Sequence, residues 1–532
     1  MDELSYRSAS ECMALLRSRQ VSSVNLVDSC IARIEALNPE INAVVAKDYE
    51  RARDKARASD AARAQGKDLG VLHGLPMTIK DSLETAGLVT TSGAPELRDH
   101  VPRQHAVAVQ RVVDAGAIVL GKTNLPIYAG DWQTFNAVYG RTNNPWDVSR
   151  TVGGSSGGAA ASLAAGFIPL EIGSDIGGSI RIPANYCGVY GHKPTHGIVP
   201  ARGHIPGPPG TKSEPDLAVV GPLARTAGDL MLALDVIAGP DALDRDGWAL
   251  ELPPSRAERL DGFRVGYWLD DPLCPIDSAV RAELEATIEA LRPHVNLVDI
   301  GSPFQLERIV PLYVRLLLGV IGADMPKPLQ MLTRLLLPYY ALADRLGIKT
   351  DLIAKNAARG MRLSHADWNR ANEGRTRLRW QTHELFHDID VLLTPVSPVT
   401  AFPHQTGGNA LTRRILVNGQ RRPYMDHIPW IALATAAFLP ATSAPVGVTP
   451  EGLPVNIQII GPHLGDKTTI RFAELMAEIR GGFQPPPPCP ATDTDTDTGT
   501  GTGTGPDTDT GTGTDTDAGT DAGTGTATAT AL

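Results

Sequence analysis

The chain contains few cysteines, and none of them is spaced for a metal site. Its 532 residues include five, at Cys12, Cys30, Cys187, Cys274 and Cys489. The number is odd, the positions are scattered, and no two of them form a Cys-x-x-Cys pair. This pattern excludes a disulfide framework and a structural zinc site.

The chain also lacks an excess of basic residues. Its formal net charge is −10, but eight aspartates fall within the last 42 residues, so the remainder carries only −2. A nucleic-acid-binding surface needs a basic face, so nucleic acid is not expected as a partner.

Long apolar runs are missing too. The longest uncharged apolar run, residues 316–323, is too short to cross a bilayer, so no transmembrane segment is expected. The N-terminus, Met1-Asp2-Glu3-Leu4, has neither a basic region nor an apolar core, and no signal peptide is expected. The composition, 42% hydrophobic and 20% charged, is that of an ordinary globular protein, which we expect to be cytoplasmic.

The C-terminal residues have almost no apolar side chains. After the proline-rich residues 485–490, the chain consists of Thr-Asp, Thr-Gly and Thr-Ala repeats up to Leu532. Such a segment cannot offset the entropy lost on ordering. We therefore predict a disordered tail at residues 489–532, following a folded region at residues 1–488.

Two glycine-rich loops that each contain a serine are the most informative feature present. The first spans residues 153–158, the second spans residues 173–183, and their serines Ser155 and Ser179 are 24 positions apart. A small, apolar helix at 159–166 and a strand at 167–172 are predicted between them. Glycine allows backbone N–H groups to crowd a ligand, so a serine among them is a candidate nucleophile beside an oxyanion hole.

A serine nucleophile needs a base. His192 and Lys193 are the nearest candidates in sequence, and Ser155 could relay a proton. Lysine acts as a base only when burial lowers its pKa, and Lys80, at the end of the apolar strand 77–79, meets that requirement. Arg181 could pair with Asp175 and hold the second loop.

Other interpretations of these loops remain open at this point. A Gly-Gly-Ser-Ser-Gly-Gly run alone is also typical of a flexible linker or a helix N-cap. It matches the Gly-x-Ser-x-Gly nucleophile elbow, which would make Ser155 the nucleophile, although residues 147–152 are a poor strand. A phosphate loop is disfavoured because no Lys-Ser/Thr pair follows Gly158.

The order of predicted elements favours an α/β sheet. A helix at 105–115 and a strand at 117–120 illustrate the alternation, and late strands are predicted at 390–395 and 453–461. Leucine-rich helices are predicted at 312–320 and 329–346, where Pro338 should kink or break the second. An earlier helix is expected to end at Asn38-Pro39.

Several spaced segments resemble the amidase signature family of serine hydrolases. They are residues 74–81, 121–124, 143–147, 153–184, 188–197 and 453–462, in the family's order. The resemblance covers nearly everything from residue 8 to about residue 487. Glu171 departs from the pattern, which prefers a small residue there, but it lies outside the two serine loops.

The resemblance implies a fold, a site and a chemistry. The fold would be a single large mixed β-sheet flanked by helices on both faces. Ser179 would be the nucleophile, Ser155 the bridging serine after a cis peptide bond, and Lys80 the base, with no metal or cofactor. The oxyanion donors would be the N–H groups of Ile176, Gly177, Gly178 and Ser179, the substrate would also contact Ala129, and Ser156, Asp175 and Arg181 would support the site.

The implied function is hydrolysis of a small-molecule carboxamide by a free-standing amidase, with a homodimer possible. The alternative is the ammonia-releasing glutaminase component of a tRNA-dependent amidotransferase, and a non-catalytic relative is disfavoured because all three triad residues are present. We expect residues 302–386 to form a helical lid for an apolar substrate. Leu316, Leu317 and Leu318, or Leu335, Leu336 and Leu337, would then lie near the mouth of the pocket; helix packing or dimer packing would explain these leucines equally well.

Overall fold

A computed structural model describes residues 2–67, 70–301, 303–322, 325 and 327–487. The predicted disordered tail at 489–532 lies outside the described residues.

Helices and strands alternate along most of the chain. The helices are α1 (Asp2–Ser5), α2 (Ala9–Arg17), α3 (Ser23–Ile41), α4 (Tyr49–Ala64), α5 (Val107–Asp114), α6 (Gly157–Ala164), α7 (Arg181–Cys187), α8 (Ala227–Ile237), α9 (Ser278–Leu291), α10 (Leu306–Ile321), α11 (Lys327–Arg345), α12 (Leu352–Gly360), α13 (His365–Asp388), α14 (Ile428–Ala436) and α15 (Asp466–Arg480). The strands are β1 (Val44–Lys47), β2 (Pro76–Lys80), β3 (Ile118–Thr123), β4 (Phe135–Asn136), β5 (Gly140–Arg141), β6 (Asn143–Asn144), β7 (Asp147–Thr151), β8 (Leu170–Asp175), β9 (Tyr190–Lys193), β10 (Val219–Ala224), β11 (Arg264–Tyr267), β12 (Asn296–Leu297), β13 (Val391–Pro395), β14 (Arg414–Val417), β15 (Gln420–Pro423), β16 (Ala441–Val448) and β17 (Pro454–Ile460).

Eleven of these strands form one mixed sheet. Their order is β1-β3-β2-β8-β10-β9-β16-β17-β13-β11-β12. Strand β2 runs parallel to β3 and β8, and β11 runs parallel to β12 and β13, whereas the other neighbours are antiparallel. Helices flank this sheet, and the predicted α/β fold with a single large mixed sheet is confirmed.

The segment between the two serine loops is packed without free space. Every residue of α6 and of β8 is buried. A Cβ at Gly157 would lie 2.1 Å from the Thr134 hydroxyl, and one at Gly158 would lie 2.4 Å from the Asn124 nitrogen. Interiors are packed as densely as organic crystals, so only residues without a side chain fit there. The small helix thus fixes the first loop against the sheet.

Residues 306–388 are mostly helical, as the leucine-rich pattern predicts, but their leucines are placed differently. Leu316, Leu317 and Leu318 of α10 are buried, and Leu318 lies against Gly360 of α12. Leu335 of α11 is 70% exposed. The first trio therefore belongs to the core between helices. In the part of the chain that the structure describes, no helix is long and apolar enough to cross a membrane.

Candidate active site

The register of the sheet brings the predicted base and the second serine loop together. Strands β2 and β8 are parallel neighbours, with Thr78 opposite Glu171 and Ile79 opposite Ile172. Parallel strands end at the same edge, so Lys80 at the end of β2 meets Ser174 and Asp175 at the end of β8. Ligand sites of α/β sheets lie outside the carboxyl ends of such strands.

The Lys80 amine is buried among three serine hydroxyls. Its Nζ lies 2.7 Å from the Oγ of Ser155, 2.9 Å from that of Ser156 and 3.0 Å from that of Ser174. Burial lowers the pKa of Lys80 from 10.5 to about 7, against the opposing effects of the Asp175 and Glu171 charges. A large fraction of the amine is therefore neutral at pH 7 and able to accept a proton.

The two serine loops are joined by their backbones. The Gly154–Ser155 peptide bond is cis, as the resemblance implies. The N–H of Ser156 donates to the Ser179 carbonyl oxygen at 3.0 Å. Ser179 is 6% exposed, whereas Ser155 is completely buried, so a substrate reaches Ser179 more easily. The strand before the first loop, β7, pairs with the two-residue β6 and bridges to Pro403, and it lies outside the main sheet, which argues against a nucleophile elbow at Ser155.

The loop after β8 exposes backbone donors next to Ser179. The N–H groups of Gly177 and Ser179 have no protein acceptor among the described residues, whereas the N–H of Gly178 donates to Asp175 Oδ1 at 2.9 Å. Gly178 adopts a φ of +89°, which residues with a side chain rarely adopt. Gly177 and Ser179 are thus available as oxyanion donors, and Gly178 already has a partner.

Asp175 and Arg181 form the predicted pair. Arg181 Nη2 donates to Asp175 Oδ1 at 2.8 Å, its Nε donates to Oδ2 at 3.0 Å, and both side chains are fully buried. Burial raises the pKa of Asp175, but the Arg181 guanidinium outweighs burial and holds it at about 2. Gln458 and Thr435 accept further hydrogen bonds from Arg181 at 2.7 and 2.8 Å. The pair locks the loop as a charged, saturated unit.

Comparison with known proteins identifies the family. The family model described as Amidase matches residues 25–470. The chain belongs to the amidase signature family. One component of the glutamyl-tRNA(Gln) amidotransferase of Chloroflexus aggregans is 32% identical over 494 residues, covering 89% of this chain and 96% of that protein.

Solved structures agree with this assignment. A bacterial aryl acylamidase of the amidase signature family superposes with a TM-score of 0.74 at 28% identity, over 90% of this chain and 97% of that one. An s-triazine catabolic enzyme described in a vestigial protein complex gives a TM-score of 0.72 at 30% identity, over 90% of this chain and 100% of that one.

Two aromatic residues that the sequence does not single out contact the loop that follows β8. The Trp132 indole N–H donates to the Gly177 carbonyl oxygen at 2.7 Å, and the Tyr313 hydroxyl donates to the Ile176 carbonyl oxygen at 2.6 Å. Tyr313 belongs to α10, so the leucine-rich region does reach the site, through this tyrosine. Both residues are remote in sequence from the loop, and no local pattern signals them.

Ser174 and His204 were also missed. Ser174 lies near the end of β8, in the run Gly173-Ser174-Asp175. Because side chains alternate between the two faces of a strand, its position could have indicated a third hydroxyl beside Lys80. His204 Nε2 lies 2.8 Å from Ser174 Oγ. Among the described residues no group of His, Cys, Asp and Glu is arranged to hold a metal ion.

The other sequence candidates lie further from the nucleophile. His192 and Lys193 are on β9, which β10 separates from β8. His192 is engaged by Asp466 and Thr442 at 3.1 and 2.9 Å, and the Lys193 amine donates to the Pro194 carbonyl at 2.8 Å. Neither is placed to act as a base toward Ser155 or Ser179.

Two further residues, Ala129 and Glu171, lie in a turn with a left-handed backbone and in a buried strand, respectively. Ala129 closes a short 3-10 turn and has a left-handed φ of +57°. Glu171 is buried on β8, where the hydroxyls of Thr78 and Thr123 donate to it. Burial raises the pKa of Glu171 to about 8, against the opposing effects of the Thr78 and Thr123 hydrogen bonds and of the Lys122 and Lys80 charges.

Proposed function

We propose that this amidase hydrolyses a carboxamide through Ser179, Ser155 and Lys80. The observation that carries the proposal is the buried Lys80 amine, 2.7 Å from Ser155 Oγ, with a pKa lowered by burial to about 7. A buried lysine without a partner carboxylate is costly to fold, and its position between two serine loops is accounted for by a role as a base.

The observed contact between Lys80 and Ser155 supports the following steps. Neutral Lys80 accepts the proton of Ser155, which accepts the proton of Ser179, whose Oγ attacks the amide carbon. The N–H groups of Gly177 and Ser179 donate to the oxyanion. The relay then returns a proton to the nitrogen, the C–N bond breaks, ammonia or an amine leaves, and water hydrolyses the acyl-enzyme.

The surroundings of the loop favour an uncharged acyl group. The half-buried Trp132 indole lies beside the loop and donates to the Gly177 carbonyl oxygen. An aromatic neighbour of this kind suits an aryl or alkyl amide. The likeness to a solved aryl acylamidase supports this substrate class.

A second candidate is a glutaminase that supplies ammonia to a tRNA-dependent amidotransferase. The curated relatives are named as components of a glutamyl-tRNA(Gln) amidotransferase, so the comparisons favour this candidate over a free-standing amidase. It requires partner proteins, and its pocket must hold the charged α-amino and α-carboxyl groups of glutamine. The homodimer and the cytoplasmic location stay predictions.

A substrate panel with the purified single chain separates the two candidates. Release of ammonia or amine would be measured from glutamine, an anilide and linear acyl amides of increasing length, with Ser179→Ala as the matched control. For an apolar pocket, each buried methylene should contribute up to ~0.8 kcal/mol to kcat/KM. A preference for glutamine would select the glutaminase, and failure of the single chain to hydrolyse any amide would count against the free-standing amidase.

A further inference from the structure

A hydrogen-bonded chain continues beyond Lys80, away from the nucleophile. Ser174 Oγ lies 3.0 Å from the Lys80 amine and 2.8 Å from His204 Nε2, and Ser82 Oγ lies 3.1 Å from the same nitrogen. His204 is held in place by its neighbours, because the Ile205 N–H donates to the Ser82 carbonyl oxygen at 2.7 Å and Leu83 forms a β-bridge with His204.

The number of donors on a neutral lysine determines the direction of these bonds. A neutral amine has two N–H donors and one lone pair. Ser156 Oγ lies 3.2 Å from the Ser174 carbonyl oxygen, to which it donates its own proton, so it accepts from Lys80. If Ser174 donates its proton to His204 Nε2, it also accepts from Lys80. The lone pair of Lys80 is then left for the Ser155 hydroxyl.

The protonated state imposes the same arrangement more strictly. An ammonium has three donors and no acceptor, and its three partners are Ser155, Ser156 and Ser174. Ser174 can accept from it only if its own proton has another acceptor. Burial and the neighbouring Lys80 lower the pKa of His204 to about 3, so the imidazole is neutral; with its proton on Nδ1, it presents the lone pair of Nε2 to Ser174.

We propose that His204 is a positioning residue that, through Ser174, directs the lone pair of Lys80 toward Ser155. This inference rests on the proposed function of Lys80 as the base. His204 itself does not touch the reacting atoms. Without the acceptor on His204, the Ser174 proton would turn toward Lys80 and compete with Ser155 for its lone pair.

The test compares two substitutions of the histidine. His204→Leu removes the acceptor, whereas His204→Gln retains an amide oxygen that can reach the position of Nε2. We expect His204→Leu to lower kcat on the order of tenfold or more with little change in KM, and His204→Gln to stay within about threefold of the wild type. The rate at which a fluorophosphonate labels Ser179 should fall in parallel, without need of the natural substrate.

A double-mutant cycle separates positioning from mere structural support. Ser174→Ala removes the group through which His204 acts, so adding His204→Leu to Ser174→Ala should change the labelling rate less than about twofold. If His204→Leu does not fold, His204→Asn, whose amide is too short to reach Ser174, takes its place with the same expectation.

The outcomes that overturn the proposal are distinct from failure of the proposed function. Three results would each overturn the role of His204. They are a wild-type labelling rate in His204→Leu, equal losses of labelling rate in His204→Leu and His204→Gln, and a double mutant whose loss is the product of the two single losses. A wild type that is neither labelled at Ser179 nor active on amides would overturn the proposed function, and the positioning role with it.

Discussion

Replacing Lys80 with methionine should abolish activity and yet remove a folding penalty. Burial lowers the pKa of Lys80 from 10.5 to about 7. One pKa unit corresponds to ~1.4 kcal/mol, so desolvation of this amine destabilises the folded state by about 5 kcal/mol below pH 7. Methionine has a similar length and no charge, so the Lys80→Met variant avoids that penalty.

The folding penalty of Lys80 depends on pH, and it decreases as the pH rises. Below pH 7 the folded and unfolded chains both carry the proton on Lys80, and the penalty is constant. Between pH 7 and 10.5 the unfolded chain binds one more proton than the folded chain, so wild-type stability rises by ~1.4 kcal/mol per pH unit. From pH 7.5 to 9 the wild type should therefore gain about 2 kcal/mol relative to the variant.

The absolute gain at pH 7 is smaller than the full penalty. In the variant the hydroxyls of Ser155, Ser156 and Ser174 lose a partner, and each loss costs ~1 kcal/mol. Other buried groups that titrate in this range, Lys193, Lys122 and Glu171, are present in both proteins and cancel to first order. The quantity that reports on Lys80 is therefore the difference in unfolding free energy between the wild type and Lys80→Met, followed as a function of pH.

Equilibrium urea denaturation of both proteins at half-unit steps from pH 7 to 9 measures this quantity. The exposed Lys327 provides the matched control, because Lys327→Met should show no pH-dependent difference from the wild type. Stability curves of wild type and Lys80→Met that run parallel across this range would refute a depressed pKa for Lys80, and with it the neutral base.

Three further predictions concern the nucleophile, its support and the tail. Ser179→Ala should abolish amide hydrolysis and leave the denaturation midpoint nearly unchanged, and labelling of the wild type at Ser155 instead would contradict this. Arg181→Met should destabilise the protein by about 3–5 kcal/mol in urea denaturation, because Asp175 keeps a buried, uncompensated charge; a loss under about 1 kcal/mol would speak against it. Deletion of residues 491–532 should leave kcat/KM and Tm unchanged, since the segment has no periodic apolar positions, and a large fall in Tm would show that it packs.

The sequence predicted those parts of the site that depend on local pattern. Ser155 and Ser179 lie in glycine-rich loops, and Lys80 follows an apolar strand, so each could be singled out from its neighbours. The strand after the first loop was predicted at 167–172 and is found at Leu170–Asp175. A shift of this size is expected, because glycine and alanine runs mark element ends only weakly.

Neither Pro39 nor Pro338 ends its helix. Pro39 lies inside α3, which continues to Ile41, and Pro338 lies inside α11. Pro39 is in the last turn, where the helix ends with Asn42 at a left-handed φ of +54°. Pro338 is exposed, so water can satisfy the carbonyl that it leaves unpaired. Local sequence does not report such solvation.

The part of the candidate site that sequence could not predict is the pair of aromatic donors, Trp132 and Tyr313, that hold the loop after β8. Within one peptide unit, the carbonyl and the following N–H point in opposite directions. The Tyr313 hydroxyl holds the Ile176 carbonyl, so it also sets the direction of the Gly177 N–H. In the next peptide unit, Trp132 holds the Gly177 carbonyl, and the Gly178 N–H accordingly points to Asp175.

Both peptide units next to Gly177 are therefore fixed before a substrate arrives. An oxyanion hole stabilises a transition state most when its donors need no reorientation. The donors that fix it come from chain segments 45 and 137 residues away, so they depend on the tertiary fold and not on the glycine-rich loop. In the proposed mechanism, helix α10 therefore acts on the chemistry through the Tyr313 hydroxyl, which connects the leucine-rich region to Ser179 without requiring that region to line an apolar tunnel.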